Sequence, residues 1–242
     1  MNRSNRQFSL PSFSKGIIVI VGGYGSGKSE VAVNLSKHLV TSQPEPVAIA
    51  DLDIVNPYFR SREATEQLTA LGINAIMPPG ELSYADTPSI VPEIKGAIEQ
   101  NRGKLILDVG GDDVGARVLS SLAEAFVDES YELLLVLNGN RPFTADVDGC
   151  IKMIRDIEAS SRLKFTGIIA NTHLMEHTTP EVVLDGLKLA KKVSDRTGLP
   201  VVFLSVEEDL MDDSDLTEVG IPVLILHRLL LKPWERGEAA EG

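Results

Sequence analysis

The sequence has a single cysteine, Cys150, and no unbroken aliphatic run longer than the five residues of Ile17 to Val21 and Leu133 to Leu137. One cysteine rules out an intrachain disulfide and suits a reducing, cytoplasmic setting. A membrane-spanning helix needs about 20 apolar residues, so no segment is expected to cross a bilayer. The first fifteen residues carry Arg3, Arg6 and Lys15 among Ser and Asn and lack the apolar stretch of a secretory signal, so export is not expected. Internal repeats, low-complexity segments and a Gly/Ser linker long enough to separate domains are also missing. Positive charge is scarce: 23 Lys and Arg stand against 35 Asp and Glu, for a net charge of −12. That balance argues against a nucleic-acid surface, which needs clustered cations. The stretch from Val206 to Glu218 holds seven acids (Glu207, Glu208, Asp209, Asp212, Asp213, Asp215 and Glu218) and no base. It reads as a solvated surface loop or as a dock for a basic partner.

What is present is a rhythm. Short Val/Ile/Leu runs at 17–21, 46–50, 73–77, 104–108, 132–137, 165–170, 200–205 and 221–226 alternate with longer amphipathic stretches at 28–41, 60–71, 88–101, 113–128, 144–160, 180–197 and 226–231. Continuous aliphatic strands are those buried on both faces of a parallel sheet. Pro88 and Pro180 sit where a first helical turn accepts them. Right-handed crossovers then give an α/β fold, a three-layer, doubly wound, mostly parallel sheet of about seven or eight strands. The expected organisation is one domain over 16–232, with polar tails at 1–15 and 233–242.

The chemistry is carried by Gly22-Gly23-Tyr24-Gly25-Ser26-Gly27-Lys28-Ser29, a G-x-x-x-x-G-K-[ST] loop between the strand at 17–21 and a helical pattern. Glycines let successive backbone N–H groups turn inward onto phosphate oxygens. The helix beginning at Lys28, with Glu30 in its first turn, adds its positive dipole end. Lys28 supplies a point charge to the β- and γ-phosphates, and the Ser29 hydroxyl suits Mg²⁺. Residues 22–30 are therefore the candidate nucleotide-binding segment. Two strands end in acid. Lys104-Leu-Ile-Leu-Asp108 precedes Val109-Gly110-Gly111 and fits a Walker B strand or the start of a switch segment; one of Asp112 and Asp113 should cap the next helix. Val47 to Ala50 leads into Asp51-Leu52-Asp53-Ile54-Val55-Asn56-Pro57.

This last segment resembles the D-x-D-x-x-x-x-N region of the MinD/ParA group, within the SIMIBI class of P-loop NTPases that also holds the nickel-insertion GTPases. The resemblance implies that Asp51 holds the magnesium shell and Asp53 lies near the attacking water. With Lys28 and Asp108 it makes Asp53 a catalytic candidate, and it makes Ser29, Asp51 and Asp108 the metal candidates. Gly23 stands where MinD-like proteins carry a lysine that reaches across a dimer, so a homodimer stays open. The Gly-Ser-Gly-Lys core looks more like that of the nickel-insertion GTPases. Arg60 and Arg62 read as arginine fingers or as plain surface residues.

The strand Phe165 to Ala170 ends in Asn171-Thr172-His173-Leu174, which keeps the Asn of a guanine-reading N-K-x-D motif and lacks its Lys and Asp. In MinD-like proteins an Asn here contacts adenine, which makes Asn171 the base contact and ATP the expected nucleotide. His173 and His177 have helical metal spacing, but Thr178-Thr179-Pro180 points to a loop. Asn138 to Phe143 is a strand-to-helix loop or a partner contact, and Cys150 a small core residue. The expectation is a Mg²⁺-dependent ATPase that switches a protein partner, slowly on its own. A phosphotransferase using the Tyr84 to Pro92 and Arg141 to Thr144 loops, and a nucleotide-dependent metallochaperone GTPase, are the alternatives.

Overall fold

The computed structural model describes residues 8–53, 62–76, 87–100, 102–126, 130–212 and 214–228. Eight strands form one sheet: β1 (Ile17–Gly22), β2 (Val47–Asp51), β3 (Ile73–Ile76), β4 (Lys104–Gly110), β5 (Tyr131–Leu137), β6 (Gly167–Ala170), β7 (Val201–Glu207) and β8 (Val223–Leu226). Every pair is parallel, in the order β3-β2-β4-β1-β5-β6-β7-β8. The helices are α1 (Lys28–Ser42), α2 (Arg62–Ala70), α3 (Thr87–Glu99), α4 (Asp113–Leu122), α5 (Val147–Ser161), α6 (Pro180–Thr197) and α7 (Ser214–Thr217).

The aliphatic runs are strands because alternate residues enter different cores. Ile18, Ile20, Ile106, Leu134 and Phe203 pack on one face with Val31, Leu35 and Leu39 of α1 and Leu68 of α2. Val19, Val21, Leu105, Leu107 and Leu135 pack on the other with α3 to α6, through Ile94, Leu119, Ile154 and Leu187. The result is the expected three layers. Pro180 opens α6 behind Thr179, whose hydroxyl accepts from Val182 N, and Asp112 caps α4 by accepting from Val114 N and Gly115 N.

Some expectations are corrected. The amphipathic reading at 226–231 begins inside β8, which runs to Leu226, and Leu229 to Leu231 lie outside the described residues. Pro92 sits within α3, which the sequence pattern did not mark. The acidic run is not a plain loop. Glu207 closes β7, Glu208–Leu210 make a 3-10 turn, and Met211 and Leu216 are buried anchors on either side of Asp212 and Asp215. No described helix is long and apolar enough to cross a membrane.

Candidate functional site

β1 lies beside β4, and β4 beside β2, so the phosphate loop and both strand-end acids emerge at one edge of the sheet. Asp51 and Asp108 are paired in register, and Gly22 pairs with Gly110. The loop is then cross-braced: Gly111 N donates to Gly22 O at 3.0 Å, and Leu52 N to Asp108 O at 2.8 Å. A Cβ on Gly111 would lie 2.6 Å from the Gly22 carbonyl carbon, so only glycine allows this approach.

Four side chains that the sequence singled out meet in two bonds. Ser29 Oγ donates to Asp108 Oδ2 at 2.5 Å, and Lys28 Nζ pairs with Asp53 Oδ2 at 2.5 Å. Asp51 Oδ1 accepts from Asp53 N at 2.9 Å, which turns the chain so that both acids face the loop. All five residues are buried. Burial, and then the charge of Asp51, push the Asp108 carboxyl up to about 7. Burial disfavours charge on Lys28, yet Asp108, Asp53 and Asp51 together hold its pKa above the usual lysine value.

The donor set tests the expected magnesium. Asp108 Oδ1 is buried with no hydrogen-bond partner, beside the Ser29 hydroxyl and the Asp51 carboxylate. An oxygen-only set with an orphaned carboxylate oxygen fits a hard divalent cation. Among the described residues no group of three His, Cys, Asp or Glu forms a metal cage of its own. A cation here would draw its other ligands from phosphate and water, as Mg²⁺ commonly does.

Two further loops grip the phosphate loop from the β5 and β6 side. Asn171 Nδ2 donates to Ser26 O at 2.7 Å, and its Oδ1 accepts from Ser205 Oγ at 2.7 Å. Arg141 Nε donates to Gly25 O at 2.7 Å, an atom also approached by Asn138 Nδ2 at 3.4 Å. These two loops are tied together by Gly139 N to Thr172 Oγ1 at 2.9 Å. Arg141, expected in a strand-to-helix loop or partner contact, braces the phosphate loop instead; Arg60 and the side chain of Arg62, expected as arginine fingers or plain surface residues, lie outside the described residues. A cleft of about 360 Å³ opens between these parts, lined by Lys28 and Ser29 after β1, Asn171 and His173 after β6, and Ser205 and Glu207 of β7, two and three strands along the sheet from β1. Tyr24, Gly25, Gly27 and Glu30 also border it, whereas Gly22 and Gly23 lie beneath, in the strand end and the turn that Ser26 N closes onto Gly23 O at 3.0 Å.

His173 and His177 lie in the β6–α6 connection and not on a helix. His173 Nε2 is buried without a hydrogen-bond partner and would sit 3.1 Å from a Cβ on Gly27. Burial, and then the positive charge of Arg141, bring its pKa down to about 4. Between pH 6.5 and 4 the unfolded chain therefore takes up a proton that the folded chain refuses, so stability falls as the pH drops through that window and is unaffected by this group above it. An NMR titration of the imidazole should show a midpoint near 4 that moves toward 6.5 in Arg141→Ala; a wild-type midpoint at 6.5 would remove the effect. Cys150 is buried against Thr144 O and its thiol is pushed up to about 12 by burial, as befits a core residue.

No protein-family model matches the sequence. No curated protein matches it either. Solved structures do match. FtsY from Mycoplasma mycoides superposes with a TM-score of 0.55 at 22% identity, over 88% of this chain and 70% of that one. The cell division protein FtsY from Thermotoga maritima gives 0.51 at 20% identity, over 84% and 66%. The signal recognition particle receptor FtsY from Elizabethkingia anophelis, solved in complex with GDP, gives 0.50 at 20%, over 81% and 58%. The chain thus spans just under two thirds of the Thermotoga protein's length and less of the Elizabethkingia one. The fold is the one these FtsY structures share, at 22% identity or less.

Proposed function

We propose that the protein is a Mg²⁺-dependent nucleoside triphosphatase of the switch type, with ATP as its nucleotide. The observation that carries this is the bonding of the phosphate-loop pair to the two strand-end acids, Lys28 to Asp53 and Ser29 to Asp108. A phosphate loop alone only holds an anion; joined to carboxylates at this spacing it also has the groups that hydrolysis needs. Ser29, Asp51 and Asp108 would hold Mg²⁺, which when bound would neutralise charge on the β- and γ-phosphate oxygens. The backbone N–H groups of residues 24–29, other than that of Ser26, which closes onto Gly23 O, and the start of α1 take up the phosphates, and Lys28 sets its charge against them. Asp53 lies within reach to orient the attacking water. A triphosphate competes with Asp53 for Lys28, so phosphate binding changes what Asp53 is bonded to. That competition is the switch.

ATP is favoured because Thr172 and Leu174 stand where a guanine-reading motif has Lys and Asp, while Asn171 keeps its place at the cleft. The GDP bound to the Elizabethkingia neighbour favours GTP as the second reading. A phosphotransferase is less well supported, since the Arg141 to Thr144 segment is spent on bracing, with Thr144 Oγ1 bonded to Asn138 O at 2.7 Å; Tyr84 to Asp86 lie outside the described residues. Metal delivery finds no Cys or His cluster among the described residues. A protein partner is part of the proposal, with Tyr24 and Phe143, 81% and 74% exposed near the loop, as apolar contacts for it.

Calorimetric titration of wild type and Lys28→Ala with MgATP and MgGTP, followed by phosphate release on the same samples, tests this. ATP binding that is lost in the variant, with slow release, is the expected result. Binding of GTP alone would overturn the ATP assignment, and binding of neither would overturn the nucleotide reading itself.

A further inference from the structure

We propose that Glu207 reads the nucleotide base, its carboxylate accepting an N–H of a purine's exocyclic amino group. The proposal rests on the reading that the cleft holds a nucleoside triphosphate. The phosphates are held by Lys28 and Ser29 after β1, so a base lies toward the residues that β7 and β8, three and four strands further along the sheet, bring to the same cleft: Ser205, Glu207 and Leu226. Ser205 lines that space beside Asn171, to whose Oδ1 its hydroxyl donates at 2.7 Å. Strand residues two apart share a face, so Glu207 leaves β7 on the same side as Ser205 and one step nearer the carboxyl edge, where open α/β sheets bind their ligands. Glu207 is still in register with Leu226 of β8, which makes its backbone part of the rigid sheet.

The cleft's other polar groups leave this task to Glu207. Leu174 occupies the place of the motif's aspartate and is 41% exposed. Asn171 is already tied to the phosphate loop through Ser26 O and to β7 through Ser205, which makes it a positioning residue for both. Among the described residues only Glu30 and Glu207 bring a carboxylate to the cleft, and Glu30 is engaged in bracing α1 against the end of β8, accepting at 3.2 Å from Asn34 Nδ2, which also donates to His227 O at 3.0 Å. Glu207 is half-buried, and its charged surroundings come from three segments: Glu176 from the β6–α6 connection, Asp209 after β7 and Arg228 after β8. Burial, more than these charges, holds its carboxyl above the usual range, the mark of an acceptor partly withdrawn from water.

A carboxylate is an acceptor only, so it favours a base edge that carries N–H donors and is repelled by one that presents oxygen or an unprotonated ring nitrogen. Adenine offers the amino group at C6 and guanine the one at C2, and two matched pairs of ligands separate them. ATP is compared with purine riboside 5′-triphosphate, and GTP with inosine 5′-triphosphate, each second member lacking the amino group. Affinities are measured by calorimetry for wild type, Glu207→Ala and Glu207→Gln, with inorganic tripolyphosphate as the probe of the phosphate loop alone. Wild type should prefer the amino-bearing member of the pair it binds by about 10- to 100-fold, the range of a hydrogen bond to a charged group. In Glu207→Ala that preference should shrink to within about twofold, the remainder after such a bond is lost, while tripolyphosphate binds as before. Glu207→Gln, which keeps an acceptor oxygen, should retain part of it. A preference that survives in Glu207→Ala, or none in wild type while tripolyphosphate still binds, overturns the role of Glu207 and leaves the phosphate site standing. Failure of wild type to bind either nucleotide or tripolyphosphate overturns both.

Discussion

Asparagine in place of Asp53 should lower phosphate release by about 10²- to 10⁴-fold, the usual weight of a positioned acid or base, without weakening nucleotide binding. The two halves of that expectation come from one bond. Asp53 and Lys28 are 4% and 5% exposed and pair directly, so the lysine that must meet the phosphates is shared with the carboxylate that must meet the water. Removing one member of a buried ion pair commonly costs about 3–5 kcal/mol, because the survivor is left uncompensated. Here the loss should be smaller. Asp108 and Asp51 also hold the charge on Lys28. The asparagine variant should therefore fold, keep a charged Lys28 and offer it to phosphate with less competition, so that affinity for MgATP is equal or tighter. Lys28→Ala differs in kind: it deletes the cation and leaves Asp51, Asp53 and Asp108 facing an anionic ligand, so binding itself should be lost. Calorimetry and steady-state phosphate release on the two variants separate the roles. Undiminished turnover in Asp53→Asn would remove Asp53 from the chemistry and leave it a partner of Lys28 only.

Much of this was legible in the chain because the signals are local. A strand buried on both faces must be continuously aliphatic, so β1, β4 and β5 announced themselves, and a loop that wraps phosphate must place its glycines and its lysine at fixed offsets. Asp51 and Asp108 were visible as acids ending such strands. Glu207 carries the same signal at the end of Val201–Val206, but it was read as the first residue of an acidic run. That run also hid Met211 and Leu216, two apolar anchors among seven acids, too short a pattern to show a helical period. Arg141 was out of reach for another reason. Its bond to Gly25 O joins residues 116 apart in the chain, made possible only because β5 lies next to β1, and no spacing rule encodes it.

The sharpest steric expectation concerns Gly27, the N-cap of α1. Its φ is +83°, in the left-handed region where an L side chain costs about 1–2 kcal/mol. An alanine there would also put Cβ 2.4 Å from Asn171 Nδ2 and 3.1 Å from His173 Nε2. Asn171 cannot simply swing away, since Ser26 O and Ser205 Oγ hold it at both ends of its amide. Either the start of α1 or the β6–α6 loop has to move, and both belong to the cleft. Gly27→Ala should therefore destabilise the fold by about 2–4 kcal/mol, strain and overpacking together, and weaken nucleotide binding at least 100-fold, the weight of a cradle displaced as a unit. Gly23→Ala is the control: a Cβ there meets only Met153 Cε, the end of a flexible side chain, at 3.4 Å, and stability should change by no more than about 0.5 kcal/mol. The double variant Gly27→Ala/Asn171→Ala isolates the collision from the strain. It keeps the left-handed backbone but removes the atom that Cβ strikes, so urea denaturation should find it less destabilised than the sum of its single variants by about 1–2 kcal/mol. Additive effects would mean that the two residues do not press on each other, and that backbone strain alone makes position 27 a glycine.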